Sequence, residues 1–191
     1  SEKIYPQRAD FTFYGGLYRG VRLISVAQSH FTLDMLGGSG VFIDATPCDG
    51  GAKVEVRAHL DGLDEKQTVG LQIIDADSKV VAEAWSFAKE ETKFKIYLTD
   101  ARLWQGVEDP YLYTAKLQLV SYNEVLDEVS TQFGIGSFSV DKEVGFILNG
   151  EPYALRGVCR HQDRLYKGNA LSREEHFEDA QIISDMGANC I

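Results

Sequence analysis

The chain has 191 residues, and its 19 lysines and arginines against 29 aspartates and glutamates give a formal net charge of −10 at pH 7. This length fits one large domain, or one domain with part of another, and argues against two complete medium-sized domains. The negative charge argues against nucleic acid as a partner, because a phosphate backbone would be repelled, and the 44% of apolar residues is ample for a hydrophobic core.

Membrane and secretion signals are not expected. No apolar run approaches the roughly 18 residues of a membrane span, and the polar start Ser1–Asp10 does not resemble a signal peptide. The three cysteines, Cys48, Cys159 and Cys190, are too few and too scattered for a closed disulfide framework. No membrane partner and no cofactor are predicted, and the composition does not distinguish a cytoplasmic from a periplasmic location.

The first twenty residues are rich in aromatic side chains and glycine without a regular period. Phe11, Phe13, Tyr14 and Tyr18 fall within eight positions, beside Gly15 and Gly16. Such a segment is typical of one that packs against another part of a protein. We interpret 1–20 as a segment of this kind.

Residues 21–140 show the alternation of β-strands. In three stretches apolar residues occupy every second position and polar residues the positions between, which is the period of a strand with one buried face. The apolar positions are Val54, Val56, Ala58 and Leu60; Phe94, Ile96 and Leu98; and Tyr113, Ala115, Leu117 and Leu119.

Turn signals separate these stretches, at 48–51, 61–62, 75–78 and 122–124. About seven short strands at this spacing, without helical stretches between them, predict an antiparallel β-sandwich of immunoglobulin type. Tyr113 is either the corner tyrosine of such a domain or an ordinary core tyrosine.

The pattern changes in 141–191. Gly145–Gly150 predicts a strand that ends in an Asn-Gly turn, and Tyr153–Val158 predicts the second strand of a hairpin. Ser172 and Glu175 form a capping box that begins a helix, and Gly187 ends it. A further strand at Ala188–Ile191 makes the order strand, helix, strand, which is typical of a parallel βαβ unit.

Several motifs, in order, carry a family resemblance. They are Tyr14–Arg19, Leu103-Trp104, Pro110–Tyr113, Phe133–Phe138, Leu148–Tyr153, Leu155–Asp163 and Asp179–Asn189. With these motifs the chain resembles glycoside hydrolase family 2, most closely its bacterial β-galactosidase branch. It departs from the family pattern at Gly136, where arginine is usual, and at Cys159, where asparagine is common.

The resemblance implies hydrolysis of a β-glycoside with retention of configuration by two glutamates, an acid/base and a nucleophile, on later strands of a (β/α)₈ barrel. Residues 141–191 would then be the truncated start of that barrel, since a complete one takes about 250 residues. We therefore expect no catalytic residue in this chain and no activity of the chain alone.

Arg160, His161 and Asp163 follow the first predicted barrel strand, where barrel enzymes place their sites, and they are the candidate substrate-binding residues. By resemblance, Arg160 and His161 line the sugar pocket. The alternatives are a histidine satisfied by backbone groups and a carboxylate in a solvated loop. Cys159 with His161 as nucleophile and base lacks an orienting third group, and Cys159, His161 and His176 lack the close spacing of metal ligands. No metal site is predicted.

The resemblance therefore implies part of a β-galactosidase-like enzyme that acts on terminal β-galactosides, and in it 1–20 would be the tail of a preceding jelly-roll domain. The sandwich would be a spacer between a jelly-roll domain and the barrel, and a homo-oligomer is compatible with that role. The alternative is a freestanding immunoglobulin-like carbohydrate-binding or adhesion module without chemistry. Binding of galactosides by the chain alone would favour the module.

Overall fold

The computed structural model describes residues 14–35, 37–64 and 66–191, so residues 1–13 of the predicted tail lie outside it. The described chain forms two compact units. One is Ser25–Ala154, and the other combines 14–24 with Leu155–Ile191. The domain limits drawn from sequence, 1–20, 21–140 and 141–191, stay predictions.

The larger unit is built from short antiparallel strands. They are β1 (His30–Phe31), β2 (Val41–Cys48), β3 (Gly51–Asp61), β4 (Thr68–Ile74), β5 (Val80–Phe87), β6 (Glu91–Thr99), β7 (Tyr113–Ser121), β8 (Glu124–Phe133), β9 (Phe138–Asp141), β10 (Gly145–Leu148) and β11 (Glu151–Pro152). One sheet joins β2, β3 and β6, with β1 on the end of β3. A second sheet has the order β5-β4-β7-β8, and a small third one has the order β11-β10-β9.

The two larger sheets enclose one apolar core, which confirms the predicted β-sandwich. On β3 the residues Ala52, Val54, Val56 and Ala58 are fully buried, while the intervening Lys53, Glu55 and Arg57 are exposed. Facing residues of β4 and β7 complete this core, among them Leu71, Ile73, Leu117 and Leu119. Since successive side chains of a strand point to opposite faces, the alternation in the sequence was sufficient to identify the buried face.

Tight turns set the register of neighbouring strands. Between β7 and β8, Tyr122 and Asn123 both have positive φ, and Ser121 pairs with Glu124 across them. This is the two-residue hairpin whose twist matches that of the strands. Between β4 and β5, one oxygen of Asp75 accepts hydrogen bonds from the backbone N–H groups of Asp77 and Lys79.

The second predicted hairpin strand was wrong in extent. Asn149 and Gly150 form the expected turn with positive φ, but β11 ends at Pro152 instead of running through Val158. The reason is that two segments, β10 and 189–190, offer backbone hydrogen bonds to residues within 153–158. Tyr153 still donates a hydrogen bond to Phe146 O, whereas 156–158 pair with 189–190.

The smaller unit contains the predicted helix, α1 (Arg173–Asp185). The capping box is present, since Ser172 Oγ accepts from Glu175 N at 3.3 Å and Glu175 Oε2 accepts from Ser172 N at 2.8 Å. Gly187 ends the helix with φ of +87°. A parallel bridge joins Gly157 to Cys190 across the helix connection, as in a βαβ unit. Among the described residues, no helix is long and apolar enough to cross a membrane.

Candidate functional site

The three residues predicted to line a sugar pocket lie in one loop of the smaller unit. Arg160, His161 and Asp163 follow the parallel pairing at 156–158, where Val158 N donates to Cys190 O at 3.0 Å. The backbone therefore leaves the carboxyl end of a strand-like segment and enters this loop at once. We call 160–164 the site loop.

Arg160 is held by helix α1. Its Nε donates to Asp179 Oδ2 at 2.9 Å, and its Nη2 donates to the same oxygen. Nη2 also lies 3.1 Å from His176 Nδ1, which can only accept from a guanidinium. The Arg160 side chain is 15% exposed, so most of its charged group is turned towards the helix.

Arg164, at the other end of the site loop, contacts the same turn of the helix. Its Nη2 donates to Asp179 Oδ1 and, at 3.1 Å, to Glu175 O, while Nη1 donates to Glu178 Oε2 at 2.8 Å. Lys167 Nζ then donates to Glu175 Oε1. Two cations of the site loop, together with Lys167 just after it, thus face three carboxylates of α1.

The pKa shifts follow this pairing. Hydrogen bonds from Arg160 and then from Arg164 lower the pKa of Asp179 below its usual value. The bonds to Asp179 and Glu178 raise the pKa of Arg164. The bond from Lys167, with the helix-capping N–H of Ser172, lowers the pKa of Glu175. Hydrogen bonding to the charged form thus favours ionised Asp179, Glu175 and Arg164 at neutral pH.

His161 and Asp163 lie between the two arginines and are exposed. Asp163 Oδ2 accepts a hydrogen bond of 3.3 Å from the Tyr14 hydroxyl. Arg19 Nη2 donates to Gln162 Oε1 at 3.0 Å. An open cavity of about 600 Å³ lies beside these residues and is lined by Tyr14, Asp163–Lys167 and Gly168.

The structure brings the three predicted residues into one loop but gives them different surroundings. Arg160 is engaged by a carboxylate, whereas His161 and Asp163 present exposed side chains. Their contact with sugar stays a prediction. Among the described residues, no group of three or more His, Cys, Asp or Glu side chains is arranged to hold a metal ion, and His176 lies against Arg160.

Sequence analysis missed four participants: Tyr14, Arg164, Lys167 and Asp179. One signal was available for the helix, because Glu175, Glu178 and Asp179 are spaced three and four apart and so share a face. From the sequence, Glu175 is assigned only to the capping box. No local pattern indicates the contact of Tyr14 with Asp163, since 149 residues separate them.

Comparisons with known proteins agree on the kind of protein. The model of the glycosyl hydrolases family 2 matches residues 39–135. A β-glucuronidase of Bacteroides fragilis is 32% identical over 98% of the chain, and a β-galactosidase of Bacteroides ovatus is 30% identical over 92%. The chain covers only 28% and 21% of these two relatives, or about a quarter of their length.

Solved structures give the same result. The FMN-binding β-glucuronidase of Facaelibacterium prausnitzii L2-6 is 47% identical with a TM-score of 0.92, over 99% of this chain and 29% of that one. A β-glucuronidase of Bacteroides uniformis, solved covalently bound to cyclophellitol-6-carboxylate aziridine, is 32% identical with a TM-score of 0.83, over 99% and 24%.

Proposed function

Because the chain belongs to glycosyl hydrolase family 2, we propose that it forms part of an enzyme that hydrolyses terminal β-glycosides with retention of configuration. The observation that carries this proposal is the match of nearly the whole chain to part of several β-glucuronidases and β-galactosidases. Retention requires two carboxyl groups about 5–5.5 Å apart, one as nucleophile and one as acid/base. In this proposal both belong to later strands of the barrel.

The two units would contribute differently to that enzyme. The β-sandwich has a continuous core and well-defined turns, so it is suited to a rigid spacer between other domains. The smaller unit, with its parallel bridge and helix α1, would supply the first part of a barrel and with it the site loop. Active sites of such barrels are built from loops at the carboxyl ends of the strands.

The substrate is a β-glucuronide or a β-galactoside, and we place the glucuronide first. The 47% identical structure and the 32% identical relative are both named β-glucuronidases. The β-galactoside predicted from sequence remains the second candidate, because relatives from Bacteroides ovatus and Thermoanaerobacter pseudethanolicus are named β-galactosidases.

The test is turnover by the full-length protein that contains this chain. It should hydrolyse p-nitrophenyl β-glucuronide more than tenfold faster, in kcat/KM, than the β-galactoside, with the product released in the β configuration. The 191-residue chain, purified from a host without either activity, should hydrolyse neither. Preference for the galactoside would make the β-galactoside the first candidate substrate. Absence of turnover of any β-glycoside by the full-length protein would contradict the proposal.

The module hypothesis is tested with the same chain. Calorimetry with lactose and with a methyl β-glucuronide should show no binding, because a site assembled from several barrel strands is incomplete here. Measurable affinity of the chain alone would favour a freestanding carbohydrate-binding module.

A further inference from the structure

Two arginines share a single carboxylate at the site loop. Arg160 donates to Asp179 Oδ2 and Arg164 donates to Asp179 Oδ1, so each oxygen of the carboxylate serves a different guanidinium. The three side chains are 15%, 29% and 23% exposed for Arg160, Arg164 and Asp179. Disrupting a contact of this kind costs more free energy than disrupting an exposed ion pair, because the charged groups are partly desolvated.

The two arginines differ in what else they contact. Arg164 has a second carboxylate, Glu178, and the backbone oxygen of Glu175. For Arg160 in the described part of the chain, the pairing carboxylate is Asp179, and the remaining side-chain contact is His176 Nδ1. Loss of the Asp179 charge would therefore release Arg160 while Arg164 kept other partners.

We propose that Asp179 is a positioning residue, which fixes both ends of the site loop on helix α1 and so holds His161 and Asp163 in place for the substrate. The inference rests on the proposed function for its effect on turnover. Three residues lie between the two fixed arginines, and this leaves the segment little conformational freedom. Groups that meet a substrate act best when neighbouring contacts lock them in place.

In this inference Arg160 has a different role from the lining of a sugar pocket that the sequence predicts. Its Nε and Nη2 are both used by Asp179 and His176, so its guanidinium is not directed at a sugar from these atoms. Arg160 then acts through the loop it holds, together with Asp179, instead of as a sugar ligand. His161 and Asp163 are exposed, and in this inference they are the side chains of the loop that meet the substrate.

Asp179→Asn in the full-length enzyme tests the role, and Glu178→Gln is the matched control on the same helix turn. Asp179→Asn should lower kcat/KM by about tenfold or more. Most of this loss should be a higher KM, because a loosened loop weakens substrate binding before it slows the chemical step. Glu178→Gln, which removes an exposed partner of Arg164 only, should stay within about twofold. Asp179→Glu, which keeps the charge, should restore part of the loss.

A double-mutant cycle tests the route of the effect. If Asp179 acts through Arg160, Asp179→Asn combined with Arg160→Gln should be little worse than either substitution alone. Additive losses, or an Asp179→Asn enzyme with unchanged KM and kcat, would overturn the inference.

Amide hydrogen exchange separates this inference from the proposed function. In Asp179→Asn, exchange at 160–164 should accelerate by about tenfold while the strands of the β-sandwich keep wild-type rates, and Glu178→Gln should leave both unchanged. An inactive wild-type enzyme would contradict the proposed function and leave this readout valid. Unchanged exchange in Asp179→Asn, or equal acceleration in Glu178→Gln, would show that Asp179 does not hold the loop.

Discussion

The phenolic oxygen of Tyr113 accepts a hydrogen bond of 2.9 Å from the backbone N–H of Arg102, eleven residues earlier in the chain. Tyr113 opens β7, is only 5% exposed and stacks on Phe133. Its hydroxyl thus ties the segment before β7 to the edge of the core. Of the two interpretations left open by the sequence, the corner tyrosine is the one that this bond supports, since a purely apolar core position would not need the hydroxyl.

Tyr113→Phe should lower the free energy of unfolding by about 1–3 kcal/mol, because the Arg102 N–H loses its acceptor in a partly buried place. Urea unfolding followed by circular dichroism measures this, with the exposed Tyr122→Phe as control. A loss no larger than that of the control would show that the bond has no structural role.

The same residue predicts a dependence of stability on alkaline pH. Burial raises the pKa of Tyr113 above its usual value, although the hydrogen bond from Arg102 opposes this. The folded chain therefore keeps the phenolic proton to higher pH than the unfolded chain does. The free energy of unfolding should be unaffected by this group below pH about 10 and fall above it, and Tyr113→Phe should flatten that fall.

Local patterns were predictable, and contacts between distant segments were not. The alternation on β3 and the capping box at Ser172 depend on residues two to three apart, so the sequence contains all the information needed for them. The end of β11 depends on whether 153–158 continue the hairpin or pair with 189–190. That choice is made by residues about 33 positions away and leaves no local signal.

In the candidate site, too, local motifs could be predicted and contacts between distant residues could not. The loop that carries Arg160, His161 and Asp163 was located from its motif and its place after a predicted strand. The partner of Arg160 was not found, because Asp179 lies 19 residues on and its carboxylate resembles any other on an exposed helix. Opposite charges on a loop and a helix face indicate a pairing only when their relative positions are known.

Asn149 connects three segments of the larger unit and has the positive φ that its turn requires. Its Oδ1 accepts from Ser137 N at 2.8 Å, and its Nδ2 donates to Trp104 O at 2.9 Å and Gln105 Oε1 at 3.1 Å. Asn149→Gly keeps the backbone conformation and removes all three bonds, so it should destabilise the chain by about 1–3 kcal/mol.

The matched control for this substitution is Asn123→Gly. Asn123 also has positive φ in a two-residue turn, so glycine suits its backbone equally well. Thermal unfolding should show a small change for Asn123→Gly and a clear decrease for Asn149→Gly. Equal midpoints would mean that the Asn149 side chain contributes nothing beyond the turn.

Gly70 on β4 leaves the space in which the Trp85 ring lies. A Cβ at this position would be 2.7 Å from two carbons of that ring. Gly70→Ala should therefore displace the indole and break its hydrogen bond of 2.8 Å to Glu83. In a Trp104→Phe background, where Trp85 is the remaining tryptophan, Gly70→Ala should shift the tryptophan fluorescence emission spectrum. Gly20→Ala, with no atom within 4 Å of the added carbon, is the control, and an unchanged spectrum in Gly70→Ala would contradict the packing.

Ser172 begins helix α1, and the face of this helix holds the site loop, so the cap should influence the loop. Ser172→Ala removes the acceptor for Glu175 N and should make opening of the first helical turn easier by about 0.5–2 kcal/mol. Glu175 also pairs with Lys167, so a loosened first turn should speed amide hydrogen exchange at 164–168 as well.

Hydrogen exchange followed by mass spectrometry resolves both segments. Ser172→Asp, which supplies another capping oxygen, should restore slow exchange, and Ser184→Ala in the last turn should leave the first turn unchanged. Faster exchange in the helix without any change at 164–168 would show that the loop does not depend on the helix start.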